Sequence, residues 1–223
     1  MSRGVMNKYM CVSSEKNEVR KVIMDLAEEL ECKHWLGMAS EFGVDAKMFA
    51  SRFRTSRLVS VESKEKVFKR QIKELSEFRN ITCLHTTMSE FLDKGIGMFP
   101  SFDCVFLDYN GIYSTTIEDD MVSLFSNGRF TRNGVFALTI AKGREREEMV
   151  KMKNTRLIQS VCCGNLHDYL SNRENAITTT LHSICKDLSI ELKPVFQKSY
   201  TNNKGGMAMM AFVFKVVNRI LLR

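Results

Sequence analysis

Apolar residues recur along this chain in two alternating rhythms. From Glu15 to Cys32, Val19, Val22, Ile23, Leu26 and Leu30 fall at helical spacing with charges between them, and Ser14 stands ahead as a cap. Lys33 to Ala39 predicts a short strand entering a turn. Asp45 to Phe53 predicts a helix, and Arg57 to Glu62 alternates as a strand does. Lys64 to Phe78 is a charged amphipathic helix, Asn80 to His85 a strand and Met88 to Lys94 a helix. Phe102 to Leu107 is an apolar run that reads as a strand buried on both faces. Ile117 to Phe125 predicts a helix and Gly134 to Ile140 a further strand. Arg144 to Lys153 is too charged for burial and reads as a solvated helix start. From Asn154 to Asp187 the pattern is mostly helical. Glu191 to Phe196 and Met207 to Val217 read as two strands joined by the polar segment Gln197 to Gly206, an antiparallel hairpin.

The order is a helix, then strand and helix alternating five times, then a hairpin. That order predicts an α/β protein: three layers, with a mainly parallel sheet of seven strands covered by helices on both faces. The C-terminal hairpin adds the antiparallel member. With 223 residues the chain reads as one domain over 15–223, behind a tail at 1–14. No apolar run approaches the roughly 20 residues needed to span a bilayer. Met1 to Met10 has Arg3 and Lys8 but no apolar centre, so it does not read as a secretory signal.

Charge and cysteine content narrow the setting. The net charge of +7 favours an anionic partner such as nucleic acid. The seven cysteines show no metal-like spacing, and Cys162 and Cys163 are adjacent. Free thiols imply a reducing, cytoplasmic compartment. The four histidines show no paired spacing, so no metal is expected, and Trp35 and the 14 methionines read as core.

Candidate chemistry starts at Asp108-Tyr109-Asn110-Gly111, which ends the strand begun at Phe102. In an open α/β sheet the loop at the carboxyl end of a strand is where ligands bind. Asp108 is therefore either a site residue or the cap of the following helix. Five βα units closed by a hairpin, with acidic residues ending the second and fourth strands, resemble the Rossmann-like class I S-adenosylmethionine-dependent methyltransferases. The resemblance covers residues 15 to 217. It implies S-adenosylmethionine as cofactor, with Glu62 holding the ribose hydroxyls by accepting two hydrogen bonds. Thr87 and Met88, in His85-Thr86-Thr87-Met88, would meet the adenine; Thr87 with Glu90 also reads as a capping box. Asp108 would face both cofactor and methyl acceptor, beside Tyr109. The first loop, Gly37-Met38-Ala39-Ser40-Glu41-Phe42-Gly43, departs from the family's Gly-x-Gly-x-Gly. Gly37, Ala39 and Gly43 supply the small residues there.

Among such enzymes the RNA ribose 2′-O-methyltransferases use a Lys-Asp-Lys-Glu set. Lys21, Asp108, Lys142 and Glu191 lie in similar relative places, and a lysine flanked by cations and a carboxylate can deprotonate a hydroxyl. Lys142 also reads as a phosphate or solvent contact. Two functions remain open at this level. One is a methyltransferase acting on nucleic acid. The other is a non-catalytic Rossmann-like binding or structural protein that has lost its cofactor.

Overall fold

The computed structural model describes residues 13–94, 101–142, 170–201 and 207–218. Its helices are α1 (Ser14–Glu29), α2 (Val44–Arg52), α3 (Glu65–Leu75), α4 (Met88–Lys94), α5 (Thr115–Ser126) and α6 (Arg173–Asp187). Its strands are β1 (His34–Gly37), β2 (Arg57–Glu62), β3 (Ile81–His85), β4 (Phe102–Asp108), β5 (Phe130–Ala141), β6 (Ile190–Thr201) and β7 (Ala208–Asn218). The expected helix start at Arg144 to Lys153, and the helical pattern before residue 170, lie outside the described residues. None of the described helices is long and apolar enough to cross a membrane.

One sheet of seven strands, ordered β3-β2-β1-β4-β5-β7-β6, organises the molecule. β7 runs antiparallel to both β5 and β6, and the other pairs are parallel. Strand alternation divides the core. Leu36, Val105, Leu107, Phe136 and Phe212 face α4, α5 and α6. Trp35, Cys104, Phe106, Ala137 and Val213 face α1, α2 and α3. This is the three-layer arrangement, and the period of two in the strands generates it.

Two of the boundaries that differ from expectation have plain physical reasons. α1 begins one residue early, because Ser13 and not Ser14 accepts from the Lys16 amide at 3.3 Å. β6 continues to Thr201 through residues whose polarity reads as a loop. It is an edge strand, so Gln197 and Ser199 stay partly exposed while Tyr200 turns inward.

The loop from β1 to α2 is held by packing and one buried amide. Gln71 on α3 is fully buried. Its Nε2 donates to the carbonyls of Ala39 and Ser40, and its Oε1 accepts from the Ser60 hydroxyl. A buried amide is tolerated only when satisfied in this way. Gly43 caps α2 in the left-handed region at φ 60°, and an added Cβ would lie 2.6 Å from Leu75 Cδ2. Gly43→Ala should therefore lower stability by about 1–3 kcal/mol. Urea unfolding should show a lower midpoint at unchanged slope; an unchanged midpoint would contradict this packing.

Candidate functional site

The strand order reverses direction between β1 and β4, so their carboxyl ends open a crevice. Asp108 stands there as the last residue of β4. Its Oδ2 takes the Lys16 Nζ at 2.5 Å, and its Oδ1 accepts from the Thr139 hydroxyl on β5. The next helix, α5, has Ser114 at its cap. Asp108 is thus no helix cap.

Lys16 reaches Asp108 from the first turn of α1. One turn later Arg20 meets Asp45 of α2, Nε to Oδ1 at 2.5 Å, with both side chains buried. Burial works against the charge on Lys16, yet Asp108 and Asp45 outweigh it and hold the ammonium above its ordinary pKa. Burial likewise favours the neutral acid at Asp45, and Arg20 and Lys16 outweigh it and lower the pKa. Tyr200 lies near this cluster. Burial first, then the charge of Asp108, raises its phenol. Among the described residues neither Tyr200 Oη nor Asp45 Oδ2 has a hydrogen-bond partner.

A second lysine–carboxylate pair flanks the first. Lys142, just past β5, contacts Glu174 of α6 at 2.7 Å and the Ser199 hydroxyl of β6 at 3.0 Å. The hydrogen bonds from Lys142 and Ser199 lower the Glu174 pKa despite some burial. The expected companions of Asp108 and Lys142 were Lys21 and Glu191, and neither is at this edge. Lys21 is exposed on α1, about 140° around the helix from Lys16. Glu191 is level with Asn133 of β5 through Val217, six positions below Thr139. That is roughly 20 Å down the sheet. Lys16 and Glu174 are the side chains that contact Asp108 and Lys142. The signal for Lys16 was in the pattern: Lys16, Val19, Arg20 and Ile23 share one stripe of α1, so two cations lie on its apolar side.

On the other side of Asp108 lies a small cleft of about 150 Å³, walled by Met38, Glu62, Thr86, Met88, Tyr109 and Asp120 among others. A larger hollow of about 630 Å³ lies between α6 and the start of β6. It is at the opposite edge of the sheet, remote from the crevice, so the smaller cleft is the relevant one. Gly37 and Ala39 flank Met38 in the wall. A Cβ on Gly37 would strike the Trp35 ring at 2.2 Å, so packing alone demands glycine there. Glu62 Oε1 accepts from the Lys64 amide at 2.7 Å. Thr87 and Glu90 form a reciprocal cap. The Glu90 amide donates to Thr87 Oγ1 at 3.1 Å, and Glu90 Oε2 accepts from the Thr87 amide at 3.2 Å. Tyr109 turns its hydroxyl toward Asp120, to which it donates. Burial, then Asp120, pushes its phenol well above the ordinary value, so it stays protonated.

A sequence profile for the family described as "Putative O-methyltransferase" matches residues 15–220. The chain belongs to this O-methyltransferase family. No curated protein sequence is a match. Solved structures share the fold at low identity. Fibrillarin, a pre-rRNA processing protein of Methanococcus jannaschii, superposes with a TM-score of 0.53 at 9% identity, over 82% of this chain. The chain spans only 66% of that protein's length. The N-methyltransferase NodS from Bradyrhizobium japonicum WM9 gives 0.54 at 12% identity, over 91% of this chain and 96% of its own. NodS in complex with S-adenosyl-L-homocysteine gives 0.53 at 10% identity, over 91% and 88%.

The matched family is one of O-methyltransferases, and the ligand held by NodS is S-adenosyl-L-homocysteine. The cleft fits one end of such a molecule. It joins apolar methionine walls to carboxylates that accept from a diol or an amine. Its volume is below the roughly 300–1,000 Å³ of whole small-molecule sites, and Tyr109, the residue after Asp108, is in its wall.

The buried pair yields a pH test. Asp45→Asn strands the Arg20 charge, and removing one partner of a buried pair costs about 3–5 kcal/mol. Because the folded pKa of Asp45 is lowered, its contribution is complete above about pH 3.9. It is lost as pH falls through the lower folded value. The gap in urea midpoint between wild type and Asp45→Asn should be wide at neutral pH and narrow toward about pH 2. A gap constant down to that pH would count against the assignment.

Proposed function

We propose that this enzyme transfers the methyl group of S-adenosylmethionine to a ribose 2′-hydroxyl of RNA. The observation that carries the reading is the pairing of Lys16 with Asp108 and of Lys142 with Glu174 at one sheet edge. Those residue types match the Lys-Asp-Lys-Glu set of the ribose methyltransferases, with Lys16 and Glu174 as the outer members. The family's O-methyl chemistry and the net charge of +7 support a hydroxyl acceptor on a polyanion. The fold shared with an archaeal pre-rRNA processing protein is compatible with it.

In this reading the cleft takes the adenosyl part of the cofactor. Glu62 would accept from the ribose diol, Met38 and Met88 would pack on the ring, and Thr87 shapes the turn beside them. Gly37, Ala39 and Gly43 keep the first loop close through packing with Trp35, Gln71 and Leu75. The bound cofactor supplies an electrophilic methyl on a sulfonium. Asp108, held by Lys16 and Thr139, would orient the acceptor hydroxyl toward that methyl. Loss of the hydroxyl proton to solvent would accompany the transfer, and the Lys142 ammonium, paired with Glu174, would stabilise the negative charge developing on the acceptor oxygen. Alignment and exclusion of water supply most of the acceleration. Tyr109 braces the cleft and takes no proton. The four described cysteines, Cys32, Cys83, Cys104 and Cys185, are free, which supports a reducing, cytoplasmic setting.

The experiment is methyl transfer from labelled cofactor to RNA and to DNA of the same sequence, followed by alkaline hydrolysis. A 2′-O-methyl group blocks cleavage of its own phosphodiester, so label should appear in alkali-resistant dinucleotides from RNA alone. Label in bases, in DNA or in protein would overturn the acceptor. Lys142→Met and Asp108→Asn should each lower kcat by about 100-fold or more while cofactor affinity persists. Glu62→Ala should instead weaken binding of S-adenosylhomocysteine by about 10-fold or more, read by calorimetry. Absence of any cofactor binding by the wild type would return the protein to the non-catalytic alternative.

A further inference from the structure

The residue in the cleft that the methyl-transfer chemistry leaves unused is Asp120. It is 2% exposed and sits in the second turn of α5. Its Oδ1 accepts from the Ser89 hydroxyl at 2.6 Å, and its Oδ2 accepts from Tyr109. Among the described residues no lysine or arginine forms an ion pair with it. A carboxylate removed from water without a cation is costly unless hydrogen bonds compensate. Burial is the main reason its pKa is raised, and the neighbouring carboxylates Asp119 and Asp93 add to the rise. A perturbed carboxyl walling a cleft is the pattern of a ligand-binding group.

The ligand chemistry follows from what the rest of the cleft lacks. The turn after β3 offers no carboxylate of its own. Thr87 and Glu90 are engaged with each other, and Glu90 also accepts from the Thr86 hydroxyl. Glu62 lies at the end of β2, where a ribose would be met. One carboxylate then remains for the far end of the cleft, backed by the apolar Met88. Carboxylate oxygens accept from an exocyclic amine and are repelled by a carbonyl oxygen in the same place. Ser89 and Tyr109 each hold one oxygen from behind and leave each a further lone pair. The carboxylate plane is therefore set before any ligand arrives, which limits the ordering needed on binding.

We propose that Asp120 is the specificity-determining residue for the cofactor's purine, accepting a hydrogen bond from the 6-amino group of adenine. This rests on the reading that the cleft holds the adenosyl part. Tyr109 and Ser89 are its positioning residues. The carboxylate that reads the base comes from the helix after β4, not from the turn after β3.

Calorimetric titration with S-adenosylhomocysteine and with S-inosylhomocysteine tests it without any turnover. The second ligand carries a carbonyl oxygen where the first carries the amine. The wild type should prefer the adenosyl ligand by about 100-fold or more. Asp120→Asn presents both an acceptor and a donor, so its preference should fall to within about 3-fold. Tyr109→Phe releases one oxygen and should reduce the preference by about 10-fold. A wild type that binds both ligands equally overturns the proposal even if Asp120→Asn does not fold. So does a folded Asp120→Asn that keeps the full preference. Failure of the wild type to bind either ligand overturns instead the reading of the cleft, and the proposal with it.

Discussion

The contact between Lys16 and Asp108 is the constraint on which the carboxyl edge of this sheet depends. It joins the first helix to the end of the central strand, 92 positions apart in sequence. A carboxylate at the end of β4 would otherwise face the crevice with only the Thr139 hydroxyl against it. The lysine makes a dense charge tolerable there, and Asp45 and Arg20 extend the arrangement into α2. Charge balance decides the geometry: two cations from α1 meet two carboxylates from different elements. Removing Arg20 or Asp45 leaves a buried charge without its counterpart.

Around this cluster the fold separates three tasks. The apolar stripes of two helix layers hold the sheet. Gln71, Leu75 and Trp35 hold the first loop near the cleft, with a buried amide and close packing where a run of glycines would be expected. The hairpin brings Ser199 and Tyr200 to the same edge as Lys142. Each task uses a different physical means, so the first loop and the hairpin edge can be perturbed separately.

Much of this was legible along the chain. The alternation of helical and period-two stretches named every described element, because burial on one face or two leaves a local pattern of apolar residues. Asp108 was legible because turn residues end its strand abruptly. Its helix-cap alternative could be settled only by seeing the next helix begin at Thr115, with Ser114 at the N-cap position. Thr87 and Glu90 were legible as a cap because the motif is complete within four residues. Lys142 was legible by position, whereas its partner was not: Glu174 on α6 and Glu191 on β6 both stand near the end of the chain. Nothing local distinguishes the carboxyl edge of the sheet from its far edge.

By itself the sequence determined the element order, the layered class, the acidic ends of β2 and β4, and the caps, all of which depend on neighbours within a turn or a strand. The tertiary structure alone decided which charges meet. Lys16 rather than Lys21 reaches Asp108 because five residues of helix turn one side chain inward and the other to solvent. Glu174 rather than Glu191 meets Lys142 because β6 runs parallel to β5 and carries its first residue to the wrong end. Asp120 enters the cleft because α5 packs against α4 and delivers it to Ser89. Such pairings depend on distances between remote elements, and these exist only once the sheet has formed.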